Sequence, residues 1–121
     1  MSKPKVLLAE DDVTMLSLLQ TLLNMEGFEV AALLAEADVP EALRTEKPDI
    51  LLMDVHLANQ SGLDILDDIR KTQDVSAMRV IMSSGSNVKD ECMKHGANGF
   101  LLKPYMPDEL ITILKNTLNS A

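Results

Sequence analysis

The feature that most constrains this chain is an alternation of short, continuously apolar runs with stretches of helical periodicity. Val6–Ala9, Val30–Leu34, Ile50–Met53, Val80–Met82 and Phe100–Leu102 are apolar at consecutive positions rather than at every second one. A strand with one wet face alternates between apolar and polar residues, whereas a strand covered on both faces need not. Five strands with helices on either side are therefore expected.

The intervening segments carry helix signals. Met15, Leu18, Leu19, Leu22 and Leu23 form an apolar stripe, with Asp12 placed as N-cap and Gly27 near the end. Asp38 followed by Glu41 reads as a capping box for a second helix that stops before Lys47-Pro48. Ser61 caps a third helix to about Thr72, with Leu63, Leu66 and Ile69 inward and Asp64, Asp67, Asp68 and Lys71 outward. A short fourth helix runs from about Val88 to His95 and ends at Gly96. Pro107, followed by Asp108 and Glu109, opens a fifth helix that buries Leu110, Ile113, Leu114 and Leu118.

Five strands alternating with five helices specify an α/β, doubly wound parallel sheet. In the flavodoxin-like form the strand order is 2-1-3-4-5, and the ligand site lies at the carboxyl ends of strands 1 and 3, where the order reverses. At 121 residues, with no linker or repeat, one domain spanning 1–121 is expected. A formal charge of −8 argues against a nucleic-acid partner. No apolar run is long enough to span a bilayer, and Cys92 is the only cysteine, so a cytoplasmic setting is expected.

The chemistry gathers at the expected strand ends. Strand 1 runs into Glu10-Asp11-Asp12 and strand 3 into Asp54. Two unit charges about 4 Å apart repel by roughly 4 kcal/mol at an effective dielectric of about 20. Acids from neighbouring strands therefore call for a proton or a cation, and an oxygen-only donor set favours a hard ion such as Mg²⁺. Strand 4 ends at Ser83-Ser84 and strand 5 at Lys103-Pro104, adding a hydroxyl and an ammonium to the same rim. Acids, hydroxyl and lysine around a metal suit phosphoryl transfer, with the Asp54 carboxylate as nucleophile.

Taken together, this pattern resembles the response-regulator receiver domain of two-component signalling over essentially the whole chain. The resemblance implies that Asp54 accepts the phosphoryl group and that Glu10, Asp11, Asp54 and the backbone carbonyl of His56 hold Mg²⁺. It implies that Ser83 and Lys103 bind phosphoryl oxygens, that the Lys103-Pro104 peptide is cis, and that Phe100 is the aromatic switch residue. The implied donor is a phosphohistidine on a histidine kinase or phosphotransfer protein. The implied output is a protein contact through helix 4, strand 5 and helix 5, with the chain a signalling phosphoacceptor rather than an enzyme.

The chain departs from that family in three places. Ala58 stands where many receivers carry proline, Gly85 lies two past Ser83 where no side chain can shield the phosphoryl group, and Ser83 to Lys103 is about two residues short. The shortening is expected to fall in the fourth helix or its preceding loop. His56, two past the acceptor, is expected to influence dephosphorylation. A flavodoxin would need hydroxyls rather than acids after strand 1, and a haloacid-dehalogenase-type phosphatase would need an acid where His56 stands. A receiver-like module that acts by contact without accepting phosphate is the remaining alternative.

Overall fold

A computed structural model describes residues 3–33, 37–57 and 60–119. The expected end of strand 2 at Leu34, and Ala58 in the loop after Asp54, lie outside the described residues. In chain order the elements are β1 (Lys5–Ala9), α1 (Val13–Met25), β2 (Glu29–Ala32), α2 (Val39–Glu46), β3 (Ile50–Asp54), β4 (His56–Leu57), β5 (Gln60–Ser61), α3 (Gly62–Lys71), β6 (Val80–Ser84), α4 (Lys89–Lys94), β7 (Gly99–Leu102) and α5 (Pro107–Leu118). The main sheet is parallel with order β2-β1-β3-β6-β7, the expected reversal between β1 and β3. The hairpin β4–β5 is a separate antiparallel pair directly after Asp54.

Strand alternation divides the core into two layers. Leu7, Leu51, Met53, Val80 and Met82 face α2, α3 and α4, where they meet Val39, Leu43, Leu66, Ile69 and Cys92. Val6, Leu8, Ile50, Leu52 and Ile81 face α1 and α5, where they meet Leu19, Leu23, Leu110 and Leu114. The runs in β1, β3 and β6 are continuous because each neighbouring residue has its own layer to fill.

The starts of α1, α2 and α3 follow side-chain caps. The Met15 amide donates to Asp12 Oδ1 at 3.1 Å, that of Glu41 to Asp38 Oδ1 at 3.1 Å, and that of Asp64 to Ser61 Oγ at 3.4 Å. Helix α2 stops at Glu46 because Lys47 turns left-handed, with φ 49°, ahead of Pro48. Helix α4 has only six residues and no side-chain N-cap, consistent with the short spacing between Ser83 and Lys103.

Several burial expectations need correction. β2 is an edge strand with an exposed start and end, and Leu102 of β7 is 46% exposed, so neither edge is covered on both faces. In α1, Leu18 is 63% exposed, while Leu16 packs against the core instead. At 100° per residue, Leu18 sits at the far margin of an arc centred between Leu19 and Leu23. In α3 the inward face includes Ile65, with Leu63 only partly buried, and in α5 Thr117 is buried while Ile113 and Leu118 are partly so.

Arg70 at the end of α3 ties two loops together. Its guanidinium donates to the carbonyls of Ser76, Met78 and Gly96 and to Asn98 Oδ1, and the Asn98 oxygen also accepts the Val80 amide. Nearby, His95 Nδ1 lies 2.7 Å from Asp67 Oδ1. The carboxyl end of α4 is thereby attached to α3.

The α1 geometry separates two leucines that the sequence stripe treats alike. Leu23→Ala is expected to lower unfolding free energy by about 3 kcal/mol, and Leu18→Ala by less than about 0.5 kcal/mol, measured by urea denaturation. Equal losses would contradict the observed rotation of the helix.

Candidate functional site

Parallel pairing brings the carboxyl ends of β1, β3, β6 and β7 to one edge. Ala9 is in register with Met53, Asp54 with Ser83, and Ser84 with Leu102, so the residues that follow share a rim. Lys103 follows β7 directly, and its amide donates to the Ser84 carbonyl at 2.8 Å. The Lys103-Pro104 peptide is cis, as the resemblance implied.

The centre of the rim is one ammonium held by two carboxylates. Lys103 Nζ donates to Glu10 Oε1 at 2.7 Å and to Asp54 Oδ2 at 2.6 Å. The Glu10 side chain is 8% exposed and that of Asp54 13%. Burial by itself depresses the Lys103 ammonium, but hydrogen bonds to Asp54 and Glu10 outweigh that and hold its pKa above the ordinary lysine value. The stability this lysine contributes is therefore complete below its unfolded-state pKa and is lost as pH rises through the raised folded value.

The second oxygen of each acid is also engaged. Glu10 Oε2 accepts the Asp11 amide at 2.8 Å, and Asp54 Oδ1 accepts the His56 amide at 3.1 Å. The His56 side chain is exposed, and its backbone amide contributes to aiming the Asp54 carboxylate. Asp12 caps α1, as expected, and Asp11, between the two, is exposed and gives its backbone amide to Glu10. Ser83 is buried beside Asp54 in the ladder, and its carbonyl accepts the Val55 amide at 2.8 Å. Phe100 is partly buried against the α2–α3–α4 layer, in register with Met82.

Among the described residues no three His, Cys, Asp or Glu side chains form a compact metal cluster. Magnesium requires less than that, since it commonly takes one or two carboxylates and completes its shell with water and phosphate oxygens. Glu10 and Asp54, drawn to a single cation and bearing only oxygen donors, fit such an ion. A groove of about 600 Å³ lies between α2 and α3, lined by Asp38, Arg44, Ile65, Asp68 and Lys71 among others. Its lining includes none of Glu10, Asp54, Ser83 or Lys103.

Comparison with known proteins agrees with the geometry. The response regulator receiver domain model matches residues 6–115, and the chain belongs to that family. The transcriptional regulatory protein GltR of Pseudomonas aeruginosa is 33% identical over 121 residues, covering 96% of this chain and 49% of GltR. CpxR of Klebsiella pneumoniae is 31% identical over 114 residues, covering 94% of this chain and 49% of CpxR. The chain thus spans about half the length of these curated relatives. The Francisella response regulator 1452 receiver domain superposes with a TM-score of 0.88 at 25% identity, covering 96% of this chain and 97% of that one. The receiver domain of the Pseudomonas aeruginosa sensor histidine kinase PA1611, solved with magnesium in its active-site cleft, shares the fold with a TM-score of 0.82 at 23% identity, covering 98% of this chain and 100% of that one.

Sequence reasoning named Glu10, Asp54 and Lys103, which the fold brings into contact, but missed Tyr105, which packs partly buried against the α1–α5 layer beside them. Its phenol is pushed up to about 12, chiefly by burial; the Lys103 charge pulls it down, and Glu10 and Asp54 push it further up. The chain has one tyrosine and no tryptophan, so tyrosinate absorbance after a pH jump reads this group alone. The native midpoint is expected at about 12, against about 10 in urea, and stability from the neutral phenol is lost as pH rises between these values. Lys103→Met is expected to move the native midpoint higher. A native midpoint equal to that in urea would contradict the packing.

Proposed function

We propose that this receiver domain accepts a phosphoryl group on Asp54 in two-component signalling. The observation that carries the reading is the single Lys103 ammonium shared by Glu10 and Asp54. A lysine held there is placed to balance charge on an incoming phosphoryl group, and Asp54 is held with both oxygens oriented.

In the transfer, an Asp54 carboxylate oxygen attacks phosphorus on a phosphohistidine. The new P–O bond forms as the P–N bond breaks, and the imidazole leaves with the electron pair. The donor is a histidine kinase or a phosphotransfer protein. Lys103 pairs with one phosphoryl oxygen, and Ser83 donates to another. Glu10, Asp11, Asp54 and the His56 carbonyl would hold Mg²⁺, which when bound offsets repulsion between the carboxylate and the phosphoryl group.

The output follows as a protein contact. Movement of Ser83 toward the phosphoryl group, with reorientation of Phe100, reshapes the surface of α4, β7 and α5. The chain acts as one receiver unit in the cytoplasm, and its net charge of −8 disfavours a nucleic-acid contact by the receiver itself. No described helix is long and apolar enough to cross a membrane.

Acetyl phosphate with Mg²⁺, read by intact mass, tests the proposal. The wild type is expected to gain one phosphoryl group, Asp54→Asn none, and the gain is expected to disappear when the metal is chelated. A wild type that gains no mass would favour the contact-only module. In the phosphorylated protein, His56→Ala is expected to change the half-life of the aspartyl-phosphate. An unchanged half-life would remove the side chain from dephosphorylation.

A further inference from the structure

Immediately after the acceptor, the chain forms the hairpin β4–β5 and enters α3 at Gly62, which folds back onto the segment it has just left. The Gly62 amide donates to the Val55 carbonyl at 2.6 Å. A Cβ on Gly62 would overlap the Asp54 carbonyl oxygen and would stand 2.9 Å from Val55 Cα and 3.0 Å from the Val55 oxygen. All three neighbours are backbone atoms, so no rotamer change relieves the overlap. Glycine is needed here for space.

Val55, the residue that follows Asp54, is therefore gripped from two sides. The Val55 amide donates to Ser83 of β6, and the Val55 carbonyl accepts from Gly62 of α3. The next amide along, that of His56, orients Asp54 Oδ1. We propose that Gly62 is a positioning residue for the phosphoryl acceptor. By admitting the first turn of α3 against the acceptor peptide, it sets the direction of the Asp54 carboxylate toward Lys103.

Any side chain at this position displaces either the start of α3 or the Asp54 peptide. Helix α3 is fixed by Ile65, Leu66 and Ile69 in the core and by the Arg70 bonds, so it does not move away as a body and part of the displacement falls on the Asp54 peptide. Displacement of a reacting group by about 1 Å can cost on the order of 100-fold in rate.

This inference rests on Asp54 as acceptor, and its test separates the two claims. Wild type, Gly62→Ala and Leu66→Ala are compared, the last shortening a buried α3 side chain further along the helix. Without phosphodonor, the Asp54 carboxyl ¹³C and His56 amide resonances are expected to move in Gly62→Ala and to stay in Leu66→Ala. With acetyl phosphate and Mg²⁺, phosphorylation of folded Gly62→Ala is expected to slow by about 10- to 100-fold, while Leu66→Ala keeps the wild-type rate. Unmoved resonances in Gly62→Ala, or equal slowing in both variants, would overturn the proposal. A wild type that takes no phosphoryl group refutes the acceptor reading instead, and the resonances still decide the role of Gly62. Should Gly62→Ala fail to fold, the wild-type Gly62 amide is expected to shift when Asp54 is phosphorylated; an unmoved Gly62 amide beside a shifted His56 amide would overturn the proposal.

Discussion

A lysine ammonium bonded to two largely buried carboxylates is the interaction on which the functional edge of this protein depends. Glu10, Asp54 and Lys103 are far apart in sequence and follow or end three different parallel strands. They meet because a parallel sheet directs every strand toward the same edge, and because the order reverses between β1 and β3. With Lys103 absent, two poorly hydrated anions would face each other without compensation. Breaking such a pair generally costs more than the pair contributes, since the remaining charge stays buried.

The surrounding structure holds this edge through backbone contacts more than through side chains. Val55 is held by Ser83 on one side and Gly62 on the other, and the His56 amide fixes one Asp54 oxygen. Helix α3 in turn reaches α4 through Arg70 and Asp67, which contact Gly96 and His95. Helix α4 is thus attached at its carboxyl end, while its amino end has no side-chain cap and follows directly from the loop that leaves Ser83 and Ser84. In mechanical terms, α4 joins a fixed end to one that follows the rim holding Asp54 and Ser83.

Much of this was legible in the sequence, for physical reasons. Continuous apolar runs identified β1, β3 and β6, because those strands fill both core layers. The same reasoning failed for the edge strands β2 and β7, where apolar residues such as Leu102 remain exposed. Caps at Asp12, Asp38 and Ser61 located three helix starts, since each satisfies an amide that the helix leaves unpaired. The rotation of α1 depends on which neighbour Leu16 and Leu18 meet, and local periodicity does not encode that. At the site, residue types and order put Glu10, Asp54, Ser83 and Lys103 at one edge, where the strand register brings them together. The contact of Gly62 with the Asp54 and Val55 backbone was invisible, because a glycine required for space looks like any turn glycine. The Asp67–His95 contact was hidden for a similar reason, since its partners lie 28 residues apart.

The central claim is that negative charge is concentrated at this edge in a form that a cation can share. Backbone amide NMR during titration with Mg²⁺ tests it most directly. The account predicts saturable shifts centred on Glu10, Asp11, Asp54, His56 and Lys103, weakened in Asp54→Asn. Absence of saturable shifts at these positions, or an identical titration in Asp54→Asn, would contradict it.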